Sequence, residues 1–446
     1  MLPLPGSPAW SWSRFQARIA ARFEGADWRV CVAFWLFGLV NNILYVIILT
    51  AALDLVGPSI PKATVLLASI IPGLATKIVV PFFIHLIPYS MRIVLLVVLS
   101  TCGMLAVALS PATTNASSIS AKLAGIILAN ISSGAGESNF LSLTHFYGPF
   151  SLAAWGSGTG GAGLIGAGFY AFATNELGIS VRATLLGSAL LPAVMLLTFF
   201  TLLPRNPLKL SARNGPDHKP LSNLDDDSDV TQETTGLLDE TSAQIPLQHH
   251  DTSQHPLKRA LAHIKSDLHR MRSLIIPYMA PLFLVYLAEY TINQGVAPTL
   301  LFPLEESPFD RYRAFYPTYG ALYQTGVFIS RSSLALFQIR ALYVPSFLQV
   351  LNLAILTAHA IHPFIPSVYF VFAIVLWEGL LGGLVYVSAY ALVREQVAEE
   401  DREFSLSAVT VSDSAGICVA GFLGVVMETA LCNWQVEHGR DWCRRL

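Results

Sequence analysis

Six ionisable side chains lie inside stretches otherwise too apolar to hold them: Lys77, Glu137, Glu289, Arg331, Glu378 and Asp413. At mid-depth of a bilayer such a group costs at least about 2.5–3.5 kcal/mol on insertion scales, so each is expected to face a bundle interior or water. Groups of this kind can pair as buried ions, hold a charged solute or carry a proton. Asn41, Asn42 and Asn293 place uncharged donors and acceptors in similar surroundings. Buried pairs that only fix helix register would use the same residue types, and for any one residue the two readings are about equally good. Six charges on separate segments are more than clamps need, and together they point to a wet central cavity.

The segments that position these groups follow from hydropathy. The chain has 446 residues, of which 53% are hydrophobic and 13% charged, roughly half the charge of an ordinary soluble domain. A crossing of the bilayer takes roughly 20 apolar residues, and the runs 29–52, 63–86, 91–109, 121–143, 150–175, 181–203, 274–296, 315–337, 343–361, 365–393 and 404–431 qualify. The expected fold is all-α, a polytopic membrane helix bundle of about 11 spans. It divides into an N-terminal tail (1–28), a six-helix bundle (29–203), a linker (204–273), a five-helix bundle (274–431) and a C-terminal tail (432–446). The linker is rich in Asp, Ser, Pro, Gln and His and too poor in large apolar residues to build a core, so it reads as disordered. Two membrane halves joined in this way match transporter architecture.

Positive charge in short loops gives the orientation. Arg14, Arg18, Arg22, Arg29, Arg92, Arg340, Arg394 and Arg402 fall on one side with Lys258, Arg259, Lys265, Arg270 and Arg272, which makes that side, the N-terminus and the linker cytosolic. Residues 256–272 are expected to form a basic amphipathic helix on the inner leaflet. Glu233, Leu237 and Leu238 fit an acidic-dileucine signal for sorting adaptors, a pattern short enough that chance explains it equally well. The loop 110–120 falls on the opposite, lumenal side, where Asn115-Ala-Ser is a usable glycosylation sequon; Asn130-Ile-Ser lies within a span and is discounted. An odd number of spans leaves the C-terminal tail lumenal. Its ending, Cys443-Arg-Arg-Leu446, has the cysteine of a prenylation box but arginines where aliphatics belong, and prenylation would need a cytosolic end. No lipid is therefore expected there. Cys31, Cys102 and Cys418 lie in spans, and Cys432 and Cys443 show no spacing that suggests a metal site or a disulfide.

Depth along each helix, at about 1.5 Å per residue, suggests which charges meet. Lys77 and Glu378 lie about 21 and about 20 Å from the lumenal ends of their spans, which would let them pair near the midplane beside Asn41 and Asn42. Glu137 and Arg331, both about 24 Å from the lumen, form a second depth-matched pair, unless Arg331 snorkels to the cytosolic interface. Asp413 lies about 13 Å in from the cytosolic side, near that layer. Glu289 has no cation at its depth. Tyr286 and Asn293 share its helix face at i−3 and i+4 and could satisfy it when protonated, which makes it the preferred proton carrier.

Gly156, Gly160, Gly163 and Ala167 form a small-residue face at i, i+4, i+7 and i+11, best read as a surface for close helix packing. The alternative is that Gly158, Thr159, Gly160 and Gly161 unwind the helix and expose carbonyls to a solute. Neither a GxSxG, a Walker A nor an HExxH pattern is present, so the chain is not read as an enzyme and no cofactor or metal is called for. A basic nucleic-acid footprint is also lacking at a net charge of −2. His145 borders a span, and His359 and His362 are assigned to a lumenal loop, where they could titrate in an acidic compartment.

The segments ISSGAGESNFLSLTHFY, WGSGTGGAGLIGAGFYA, YLAEYTINQG, QTGVFISRSS, WEGLLGGLVYV and REFSLSAVTVSDSAGI resemble, in this order, the battenin family, and the chain looks like a fungal member. The resemblance covers nearly all of the membrane part but neither the N-terminal tail nor the linker. It implies a multi-pass protein of the vacuolar or lysosomal membrane with a fold similar to the major facilitator superfamily. In fungi the family is linked to vacuolar pH homeostasis and transport of basic amino acids into the vacuole, and in animals to export of glycerophosphodiesters. Glu137, Glu289, Arg331, Glu378 and Asp413 then occupy the family's polar positions. The expected partners are protons, a small-molecule substrate and the lipid bilayer, with a trafficking or regulatory scaffold without transport activity as the rival reading.

Overall fold

The computed structural model describes residues 21, 23–51, 55, 62–83, 87–111, 115–208 and 256–444. The sorting-signal residues Glu233, Leu237 and Leu238, Arg14, Arg18 and Arg22, and most of the linker lie outside them. Regular structure among the described residues is helical throughout: α1 Trp28–Thr50, α2 Lys62–Phe83, α3 Tyr89–Leu109, α4 Ala116–Leu143, α5 Pro149–Ala171, α6 Val181–Ser188, α7 Pro192–Leu197, α8 Pro256–Leu274, α9 Ala280–Thr291, α10 Phe315–Ser332, α11 Tyr343–Ile361, α12 Val368–Gln396 and α13 Glu399–Glu437. The chain divides into two compact units, Met1–Pro204 with Arg270–Leu446, and Arg205–His269. In the second unit the described element is most of α8, the basic helix expected over 256–272.

Nine helical segments among the described residues are long and apolar enough to cross a membrane. α5 and α10, the helices at two further runs expected from hydropathy, are diluted by glycine and by polar residues and are not among the nine. α6 and α7 make up a single crossing, Val181–Leu202. Pro277 and Pro281 interrupt the entry into α9, where a π-helical turn, Ile275–Met279, absorbs the missing hydrogen bonds. Large apolar side chains such as Ile78, Val98, Leu190, Phe347, Phe370, Phe422 and Val426 point outward, which suits a surface solvated by lipid rather than water.

Packing follows the apolar faces. In the N-terminal part α1 lies on α5, and α4 lies on both α2 and α3; Ile43, Ile47, Ile48, Met104, Ile126 and Tyr170 share one core there. In the C-terminal part α9 lies on α11 and α13, and α10 on α12, around Ile292, Val296, Phe315, Tyr319, Val371 and Val375. Between the parts, α2 and α4 pack on α13, and α5 packs on α10 and α12.

Glycine makes these approaches possible. A side chain at Gly158 would overlap the Trp35 carbonyl of α1, one at Gly156 would come within 2.7 Å of Val387 in α12, and one at Gly160 within 3.0 Å of the Phe328 backbone in α10. α5 is continuous through all of them, so the unwinding of Gly158–Gly161 entertained from the sequence does not occur. The glycines seat α5 between three neighbours. Gly148, at φ +83°, turns the chain into α5, and Pro149 follows at the first helical position.

At one end of the bundle, here the basic end, Tyr89 donates to Glu403 Oε1 (2.5 Å), Arg92 lies 3.8 Å from the same carboxylate, Ser142 donates to the Glu403 carbonyl and Arg394 donates to the Thr144 carbonyl. These contacts join α3 and α4 to α12 and α13. At the other end the chain terminus is pinned. Cys432 and Cys443 form a disulfide, contrary to the expectation from their spacing, because α13 runs on to Glu437 and a tight reversal brings the tail back along it. Gln435 donates to the Thr299 and Ala360 carbonyls, and Arg440 to those of Ala360 and Ile361. His359 also departs from its loop assignment: it is buried in the last turn of α11, where Nδ1 accepts from the amides of Phe364 and Ile365. Asn115, the sequon residue, is exposed at the start of α4.

Candidate functional site: a polar cavity between the two halves

Where α1, α2, α4 and α5 face α9, α10, α12 and α13, the bundle forms a partly open cavity of about 120 Å³, room for several waters or a small solute. Lys77, Glu137, Arg331 and Asp413 line it, together with Asn42, Tyr45, Ser69, Thr159, Tyr286, Tyr290, Tyr323, Gln324, Tyr386 and Ser414. Of the residues singled out from the sequence, these four charges are brought together; Asn41, Glu289, Asn293 and Glu378 stand behind the wall.

Lys77 anchors the polar side. It lies one turn after Pro72 and Gly73; Pro72 has no N–H to bond the carbonyl four residues earlier, and that weakened turn of α2 faces α4. Its ammonium is 2.7 Å from Glu137 Oε2 and 3.1 Å from Asp413 Oδ1, and it donates to Ser414 Oγ at 2.7 Å. The three protons of the ammonium thus meet three acceptors on two helices, one before and one after residues 205–269. Glu137 also accepts from the Tyr386 hydroxyl (2.7 Å), which in turn accepts from Trp155 Nε1 (3.2 Å). The Arg331 guanidinium stacks over the ring of Tyr386 at 4.1 Å and donates to Thr159 Oγ1 (2.9 Å) and to the Tyr286 hydroxyl (2.7 Å).

Both depth-matched pairings therefore give way. Lys77 pairs with Glu137 and Asp413 instead of Glu378, and Arg331 reaches Glu137 only by way of Tyr386 and does not snorkel. Depth fixes one coordinate; which helices adjoin fixes the other two, and α2 adjoins α4 and α13. Glu378, fully buried, accepts from Asn293 Nδ2 at 3.3 Å. Glu289 accepts from the hydroxyl of Tyr323, a cavity residue on α10. Tyr286 and Asn293, the partners expected for Glu289, are engaged by Arg331 and Glu378. Glu289 Oε2 and Glu378 Oε2 are both buried without a hydrogen-bond partner, and neither acid has a cation within ion-pair distance among the described residues. Asn41 clamps α1 to α4 through reciprocal hydrogen bonds with Ser133, at 3.1 and 3.0 Å. Its neighbour Asn42, rotated by about 100° along the helix, faces the cavity.

Apart from Tyr286, the tyrosines of the wall were not singled out from the sequence. Tyr45, Tyr286, Tyr290, Tyr323 and Tyr386 supply most of the aromatic wall, and Tyr386 connects Glu137 with Arg331. A signal was present, since a tyrosine buried in an apolar span requires a hydroxyl partner, but it applies equally to tyrosines in ordinary cores.

A two-part helical bundle around a central polar cavity is the architecture of the major facilitator transporters, and comparison with solved structures gives that fold. The human organic anion transporter MFSD10 superimposes with a TM-score of 0.59 at 13% identity, over 93% of this chain and 95% of that one. The proton:xylose symporter XylE does so at 0.55 and 12%, over 96% and 93%. The family model described as CLN3 protein matches residues 32–434, and the chain belongs to that family, the battenin family to which its motifs point. Among curated relatives, protein btn1 of Aspergillus fumigatus is 58% identical over 448 residues, covering 100% of this chain and 97% of the relative. Protein btn-1 of Neurospora crassa is 54% identical over 460 residues, with the same coverage.

Proposed function

We propose that this protein is a proton-coupled transporter of the vacuolar membrane, with its N-terminus cytosolic, that moves a small polar solute through the central cavity by alternating access. The solute class favoured is basic amino acids carried into the vacuole, with a consequent role in vacuolar pH homeostasis; glycerophosphodiesters are the alternative. The observation that carries the reading is the ion cluster Lys77–Glu137–Asp413, which bridges the two halves across the cavity. Rocking the halves apart separates Lys77 and Glu137 from Asp413, so proton and solute occupancy can bias the two states through this one contact. Glu289 is the proton carrier in this scheme, reached from the cavity through Tyr323.

The test is reconstitution in proteoliposomes under an imposed pH gradient. Glu289→Gln should abolish driven accumulation while leaving solute exchange at equal pH. A Glu289→Gln protein with full gradient-driven transport would refute the proton assignment, and a folded wild-type protein that moved neither solute class would refute transport.

A further inference from the structure

Arg331 occupies a different electrostatic position from Lys77. The Lys77 ammonium is saturated by two carboxylates and a hydroxyl. Arg331, on the same cavity, has no carboxylate within ion-pair distance among the described residues. Two of its five N–H groups meet the neutral hydroxyls of Thr159 and Tyr286, and Nε has no partner. Half-buried on the cavity wall, the guanidinium hydrogen-bonds only to neutral groups, and Glu289 and Glu137 act on it only through space, so it is incompletely compensated. Thr159 and Tyr286 both line the cavity, so they are contacts that an incoming anionic group can displace or share.

The wall is thus polarised. Counted by formal charge, Lys77, Glu137 and Asp413 leave one excess negative charge and Arg331 one positive charge, with Tyr386 between them: its hydroxyl binds Glu137 and its ring supports Arg331. We infer that Arg331 is the anion-recognising residue of the cavity, binding a carboxylate or phosphodiester group of the solute, with Thr159 and Tyr286 positioning the guanidinium. The proposal rests on the transport reading above and deepens it by assigning the residue that takes the anionic oxygen group both solute classes carry. A fork of N–H donors over a fixed aromatic ring favours such a two-oxygen group over a point charge.

Uptake of labelled arginine and of labelled glycerophosphocholine into proteoliposomes separates the carboxylate from the phosphodiester. Agmatine, which is arginine without its carboxylate, and glycerol serve as competitors that lack the anionic group. Expected are transport of arginine or of glycerophosphocholine, no inhibition by either competitor at concentrations where that solute saturates, a rise in KM of about tenfold or more in Arg331→Gln, the fold-change of a lost charge-assisted hydrogen bond, and partial recovery in Arg331→Lys. Agmatine or glycerol transported or competing as well as its counterpart that bears the carboxylate or phosphodiester would overturn the inference and leave transport standing. If no solute is moved, transport fails instead, and thermal stabilisation of the purified protein decides: stabilisation by arginine or glycerophosphocholine that agmatine and glycerol do not reproduce and Arg331→Lys weakens supports the anion site, and its absence overturns it.

Discussion

Replacing Lys77 by Met removes the cation that two buried carboxylates share. At 2.7 and 3.1 Å, each attraction is about 5–6 kcal/mol at an effective dielectric constant of about 20, and desolvation of the three groups cancels most of it. What the substitution exposes is the uncompensated pair: Glu137 and Asp413 keep their burial and lose their counter-ion, a change that costs about 3–5 kcal/mol when one partner of a buried ion pair is removed. Asp413→Asn alone leaves Lys77 with Glu137 and costs less. The double variant Lys77→Met, Asp413→Asn leaves one carboxylate, held by the Tyr386 hydroxyl, and should be more stable than Lys77→Met by about 1–3 kcal/mol. Thermal unfolding of the purified protein in detergent, followed by tryptophan fluorescence and repeated at several scan rates because membrane proteins unfold irreversibly, reads the order of the three variants. Effects that add to within about 0.5 kcal/mol would show that Lys77 and Asp413 do not interact and would refute the ion cluster.

Further outcomes follow from the same contacts. Gly158→Leu should lower the yield of folded protein or cost about 1–3 kcal/mol or more by driving α5 off Trp35, whereas Gly168→Ala, with nothing within 4 Å, should be neutral or stabilising by up to about 1 kcal/mol; melting curves of the pair decide. Asn42→Ala should impair transport and spare stability, and Asn41→Ala the reverse, because only Asn42 lines the cavity; equal effects in uptake and melting assays would contradict this. Denatured wild-type protein should take up three maleimide labels without reductant, at Cys31, Cys102 and Cys418, and five after reduction. Five labels without reductant would exclude the Cys432–Cys443 bond.

Much of the fold was legible because lipid imposes a simple rule: a crossing helix must be long and apolar. Even α5 and α10, whose glycines and polar residues dilute the signal, fall where hydropathy and the neighbouring spans leave room for them. The site was legible as a set of charges and not as a geometry. Lys77, Glu137, Arg331 and Asp413 stand out by type alone, but their partners depend on helix adjacency and rotation. A depth ruler laid along α13 is also uncertain in its origin, since that helix extends from Glu399 to Glu437, longer than the bilayer requires. Asn41 and Asn42 show the finest scale of the problem: one residue of rotation separates a helix clamp from a cavity residue. The disulfide was hidden for a related reason, because its geometry depends on the reversal after Glu437 and not on any cysteine motif.

Proton-coupled transport is read out by solute flux driven by a pH gradient in proteoliposomes, comparing wild type, Lys77→Met and Glu289→Gln at equal amounts of folded protein. Wild type is expected to accumulate solute in a way that collapses with the gradient, and both variants to lose that accumulation. Accumulation that persists in both variants, or no accumulation of either a basic amino acid or a glycerophosphodiester by folded wild type, would contradict proton-coupled transport.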